Sequence, residues 1–198
     1  MRKTLAQIPF LIKLQVLLLG VAVLSTSVVV NVFGPHGMER VAFAIPAADH
    51  ARVPWQTEVD AFGRKVSRAF GVRPSTANEF AIWILEAAQR QHIEPELLAS
   101  LVHTESTFRK QALSSVGAIG PAQVRPIFWS RFCGSSNLED PAENIYCGAQ
   151  VLSYLRDLCG DETCALKAYN VGPYSERYQA ARRYLAKIDL ARSRLRNL

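Results

Sequence analysis

The run Leu97-Leu98-Ala99-Ser100-Leu101-Val102-His103-Thr104-Glu105-Ser106-Thr107-Phe108 constrains this chain most. Pro95 stands where a first helical residue would, a place that tolerates its missing N–H. Leu98, Leu101 and Val102 follow at helical spacing and predict a helix over about 95–107 with that face buried. Glu105 lies seven, four and three residues beyond them, so its carboxyl shares the buried face. A carboxyl at the edge of an apolar face loses hydration, which disfavours its charged form. A carboxyl held partly neutral near pH 7 is what a general acid needs. Taken alone, a Glu near a helix end is usually a solvated residue or a local ion-pair partner.

The flanking chain also reads as helical. Trp55, Val59, Phe62, Val66 and Phe70 recur at helical spacing, and Gly71 closes the pattern. Thr76 followed by Glu79 fits a capping box ahead of Phe80, Ile82, Trp83 and Ile84, a segment expected to be mostly buried. Ile127 to Phe132 reads as one or two turns, and Cys133 to Glu139 as a loop. Asp140-Pro141 marks a helix start whose core face is Ile145, Val151, Leu152, Leu155 and Leu158. Thr163 to Tyr169 is a short helix. Ser175 is expected to cap a last helix with Tyr178, Tyr184, Leu185 and Ile188 inward. No strand pattern of any length appears after the N-terminal segment, so the expected class is all-α. The division expected is 1–34, 35–73 (linker and helix) and 74–198.

Residues 1–34 read as an export segment. Arg2, Lys3 and Lys13 precede the run 16–33, eighteen residues without a charge. A bilayer needs about 20. The basic flank keeps the N-terminus in the cytoplasm and sends the rest of the chain out. A retained membrane anchor and a cleaved signal peptide are both open. Ala42-Phe43-Ala44 has the small-residue pattern of a cleavage site, but follows His36, Glu39 and Arg40. The anchor is favoured, which places the chain at the outer face of the inner membrane; cleavage would leave it periplasmic.

With 23 basic and 17 acidic residues the net charge is +6. Such a balance fits an anionic polymer or an anionic membrane surface, with nucleic acid the weakest of these readings. Arg177, Arg182, Arg183, Lys187, Arg192, Arg194 and Arg196 crowd the last helix, which is either a solvated face or a contact for an anionic partner. The four cysteines lack a Cys-x-x-Cys spacing, so no metal site is expected. In an exported chain they point to disulfides, with three pairings open. Cys133–Cys147 with Cys159–Cys164 is favoured, the latter closing a short loop between two helices. Each bridge is worth roughly 2–4 kcal/mol on the chain-entropy picture.

After Glu105 the sequence reads Ser114-Ser115-Val116-Gly117-Ala118-Ile119-Gly120-Pro121-Ala122-Gln123-Val124-Arg125-Pro126. Glu-Ser-x-Phe followed by Ser-x-x-Gly-Ala-x-Gly-x-x-Gln-x-x-Pro resembles the lytic transglycosylase domain, a family related to goose-type lysozyme. Asn144-Ile145-Tyr146-Cys147-Gly148 and Ala165-Leu166-Lys167-Ala168-Tyr169-Asn170-Val171-Gly172 extend the likeness over roughly residues 92–175. The resemblance implies a lysozyme-like helical domain that needs no cofactor. Its substrate would be peptidoglycan glycan strands, cut at the β-1,4 bond between N-acetylmuramic acid and N-acetylglucosamine. It also implies roles by position. Glu105 is the acid and base, Ser114 bonds substrate near the acetamide, Gln123 lines the cleft, and Tyr169 and Asn170 stand across it with the Tyr hydroxyl near the carboxyl.

Glycosidases usually use two carboxylates. The motif blocks supply one, since Glu139, Asp140 and Glu143 fall in a loop and a helix cap. That agrees with the family, whose Glu works alone. The sequence departs from the common pattern at Pro121, Ala122 and Arg125, where many members have Leu, Met and a further Met. Small members often open the wall for secretion or conjugation machines, which the membrane segment and basic helix suit. A hydrolytic muramidase on the same fold and a non-catalytic wall-binding scaffold are the competing readings.

Overall fold

A computed structural model describes residues 10–33, 53–134 and 137–198. Of the expected linker over 35–53 all but residue 53, together with Arg2, Lys3 and Ala42-Phe43-Ala44, lies outside the described residues. The chain divides into two compact units, Met1–Asp49 and His50–Leu198. The first contains α1, Phe10–Phe33, a 24-residue helix. Its side chains are described at position 12 and over 14–25, and all of these are exposed. Among the described residues no helix is long and apolar enough to cross a membrane.

The second unit holds α2 (Trp55–Phe70), α3 (Pro74–Gln91), α4 (Pro95–Ser106), α5 (Pro126–Cys133), α6 (Pro141–Cys159), α7 (Glu162–Val171) and α8 (Tyr178–Arg196). The described residues form no strand, and two isolated bridges in the loop before α5 are their only β pairing. The class is all-α. In α4, Leu97 to Val102 and Ser106 are all buried. A helix that is apolar nearly all round must be central. Phe80 and Ile84 of α3, Ile145 and Leu155 of α6, and Ile188 and Leu195 of α8 complete the buried core with Leu98 and Leu101. α2 joins it through Val59, Phe62 and Val66.

Several local expectations change. No capping box forms at Thr76: α3 starts at Pro74, with Arg73 as an N-cap that makes no side-chain bond. Proline at the first position already fixes the helical φ and lacks the donor a cap would satisfy. Glu79 instead accepts from Lys110 at 2.7 Å. Asp140 does cap α6, its carboxylate accepting from the N–H groups of Ala142 and Glu143 at 2.9 and 3.0 Å. Ile82, Leu158 and Tyr178 are exposed rather than inward. Leu158 lies one turn past Leu155, where α6 outruns the core, and Tyr178 begins α8 ahead of its first buried residue, Ala181. Ser175 is not the cap of α8; that position is Arg177.

Candidate active site

α4 ends in a backbone reversal. Thr107 and Phe108 both adopt the left-handed region, at φ 52° and 60°. For residues with side chains that conformation is costly and must be held by its surroundings. Phe108 is buried edge-on against Phe80, with centroids 5.2 Å apart. The Ser106 hydroxyl donates to the Val102 carbonyl at 3.0 Å, and the Ser106 carbonyl accepts from the Arg109 side chain at 2.9 Å. Glu105 therefore sits on the last turn of a helix whose end is fixed. His103 lies two residues earlier, about 200° around the helix, stacked on Phe70 at 4.0 Å. Burial holds its pKa below the ordinary value.

The Glu105 carboxyl is part-buried and accepts a hydrogen bond from the Tyr184 hydroxyl of α8 at 2.7 Å. Burial raises its pKa to about 7, against the Tyr184 bond and the charge of Lys187, which both favour the carboxylate. Half-protonated near neutrality, such a group gives up a proton and takes one back with little penalty in either direction. The Tyr169 and Tyr184 hydroxyls are both pushed well above the ordinary tyrosine value, first by burial and then by the Glu105 charge. They remain proton donors at any working pH. Tyr169 of α7 and Tyr184 of α8 thus both lie within reach of the Glu105 charge on α4, in poorly hydrated surroundings.

The loop 112–125 is organised by an interior asparagine. Asn144 of α6, fully buried, accepts the Ala122 N–H at 2.8 Å and donates to the Ile119 and Leu138 carbonyls at 2.9 and 3.0 Å. A side chain on Gly120 would collide with that asparagine, and its φ of 73° favours glycine. Tyr169 donates its hydroxyl to the Ala122 carbonyl at 2.8 Å, so the N–H and the carbonyl of Ala122 are both held from outside the loop. Gly148 leaves the space for this: a Cβ there would meet the Ala122 methyl and the Tyr169 hydroxyl. The sequence block 144–148 is therefore loop support.

Each expected site residue can now be located. Tyr169 feels the Glu105 charge, but its hydrogen bond goes to Ala122. Gln123 takes a left-handed conformation, φ 50°, and its amide nitrogen donates to the Gly120 and Ala112 carbonyls at 2.9 and 3.2 Å. Only its side-chain oxygen is left for a ligand. Ser114 accepts the Ala118 N–H on its hydroxyl oxygen at 2.9 Å, which leaves the hydroxyl proton available. Asn170 is exposed near the end of α7. The disulfides are Cys133–Cys147 and Cys159–Cys164, with Cα separations of 5.3 and 5.7 Å. Part of the basic helix is spent internally. Arg192 pairs with Glu94 and Glu162, and Arg196 with Glu94 at 2.8 Å.

Sequence reasoning assigned Tyr184 to the core and missed its role. The signal was available: a tyrosine at an inward position needs a partner for its hydroxyl. The partner, 79 residues away, was not legible.

Residues 82–191 match the model of the transglycosylase SLT domain, 110 of the 198 residues. The chain belongs to this family. The transglycosylase of enterobacteria phage PRD1 is 38% identical over 86 residues, which are 43% of this chain and 32% of the phage protein. An X-ray structure of an inactive mutant of the lytic transglycosylase Slt from Pseudomonas aeruginosa is 23% identical. It aligns with 71% of this chain and 28% of that one at a TM-score of 0.44. The chain spans about a third of the length of these relatives.

Proposed function

We propose that this chain is a peptidoglycan lytic transglycosylase with a goose-type, lysozyme-like fold, cleaving the β-1,4 bond from N-acetylmuramic acid to N-acetylglucosamine. The observation that carries the reading is the Glu105 carboxyl, raised to about 7 by burial and bonded by Tyr184. In the first step Glu105 protonates the bridging oxygen as the bond to C1 of muramic acid breaks. In the second, the resulting carboxylate takes the proton of the C6 hydroxyl, whose oxygen closes onto C1 as a 1,6-anhydro ring. The substrate's own acetamide would steady C1 between the steps. Burial raises the Glu105 pKa against the Tyr184 hydroxyl and the Lys187 charge, as one carboxyl serving first as acid and then as base requires.

The free proton of Ser114 suits that acetamide's carbonyl as an acceptor. The remaining oxygen of Gln123 suits a sugar hydroxyl, and Asn170 lies exposed beside Tyr169 at the rim. Residues 16–33 would anchor the chain in the inner membrane with the domain on the periplasmic side. Local wall opening for a secretion or conjugation machine is the corresponding cellular role.

The test is mass spectrometry of soluble products from purified peptidoglycan treated with the full-length chain and with Glu105→Gln. Anhydromuramyl products from the first and none from the second support the reading. Reducing-end products, heavier by one water, replace it with a hydrolytic muramidase. Equal release by both proteins removes Glu105 from the chemistry.

A further inference from the structure

α5 breaks the rule the other helices of its unit follow. None of its eight residues is buried, yet Ile127, Phe128 and Phe132 are large, apolar and 83, 59 and 47% exposed. On α6, Tyr154 and Leu158 are exposed as well. The aromatic members are not scattered. Trp129, Phe132 and Tyr154 form a cluster with centroids 5.1–6.2 Å apart. Trp129 packs partly against the core, and Cys133–Cys147 ties the end of α5 to α6. This apolar face is therefore held in place rather than left loose, and a contiguous patch of this kind marks an interaction surface.

Its charge says what kind. Arg125, the N-cap residue, carries its guanidinium 4.4 Å from the centre of the Phe128 ring. Arg131 lies within α5, and the helix has no acidic residue. Neither arginine is in an ion pair among the described residues. Asp157 is exposed at the α6 edge of the patch. Aromatic and aliphatic side chains flanked by unpaired arginines are the composition of an element lying at an anionic lipid interface. A two-fold dimer through this face would set the same arginines against each other. A glycan would leave Ile127 and the Phe128 edge without apolar cover.

We infer that the face formed by α5 and the Tyr154–Leu158 turn of α6 docks on an anionic bilayer surface. This rests on the anchored reading given above: 21 residues separate Phe33 from Trp55, a contour of at most about 80 Å. Docking would fix the height and orientation at which Glu105 meets the wall.

The experiment reconstitutes the full-length chain in phosphatidylcholine vesicles with and without phosphatidylglycerol, using brominated lipids to quench tryptophan. Quenching in anionic vesicles is expected to be about two-fold greater for wild type than for Trp129→Phe. It should fall in Ile127→Ser/Phe128→Ser and, on anionic lipid alone, in Arg125→Gln/Arg131→Gln. Equal quenching of wild type and Trp129→Phe overturns the inference. So does protection of Trp129 by soluble glycan fragments or by raised protein concentration, which would assign the face to substrate or to a second copy. Product release by the same variants separates the two readings. Quenching without activity sinks the enzyme alone, and activity without quenching sinks the docking alone.

Discussion

Glu94 and Glu105 stand at the two ends of α4, and α8 reaches both. At Glu94, burial opposes ionisation, but hydrogen bonds from Arg196 and Arg192 outweigh it and hold the carboxylate below the ordinary value. At Glu105 burial wins, because α8 offers a tyrosine hydroxyl and the more distant Lys187 in place of arginines. One helix pair thus makes a permanent anion at one end and a proton carrier at the other. The difference lies in what faces each carboxyl, since the residue type is the same.

Erasing the Glu105 end should have the largest effect. Glu105→Gln is expected to lower product release by about 10³-fold, the scale of positioned acid–base catalysis, with the circular dichroism spectrum unchanged. A loss below ten-fold would place the proton carrier elsewhere.

The two ends should also differ in how pH acts on stability. For Glu105 the folded value, about 7, exceeds the ordinary glutamate value of 4.5. Its contribution is fully present below 4.5 and lost as pH rises through 7. Glu105→Gln should therefore melt higher than wild type at pH 8 and equal to it near pH 4, a gap of roughly 3 kcal/mol at most. Glu94 has the opposite sign: its contribution is present above 4.5 and lost as pH falls below it. Melting curves of both Gln variants across this range would expose a reversed assignment.

Glu94→Gln removes a partner from Arg192, whose side chain is 16% exposed, and leaves it Glu162. We expect a loss of about 1–3 kcal/mol in urea unfolding with activity kept, because the change is remote from Glu105. Loss of activity in the still-folded variant would show that the ends are not independent.

The smallest effect tests Tyr184. Its hydroxyl favours the Glu105 carboxylate, so Tyr184→Phe should raise the Glu105 pKa further. The pH–rate profile should move up by about 1 unit, roughly the value of one hydrogen bond to a charged group. A profile that stays put would make Tyr184 a packing residue.

The Glu105 end was partly legible in the sequence. Leu98, Leu101 and Val102 fixed the face, and burial followed from the face. The two disulfides followed from spacing along the chain, where short closures are favoured. Long-range electrostatics were not legible. The arginines of the last helix read as a solvated or partner-binding row, yet Arg192 pairs with Glu162 and Glu94 and the exposed Arg196 with Glu94, across 30 to 102 residues. Periodicity reports which side of a helix is inside and nothing about which helix lies opposite. Asn144 was missed for the same reason. It was read as a family block, but it is the interior support of the loop 112–125.

The Tyr184–Glu105 bond closes 79 residues of chain. Until α8 docks, Glu105 is an ordinary solvated acid with an ordinary affinity for protons. A chain emerging in order from its N-terminus has completed α4 and α7 before it can form this bond. The raised proton affinity of Glu105 therefore waits on the docking of α8, and a copy cut short before Tyr184 lacks that bond.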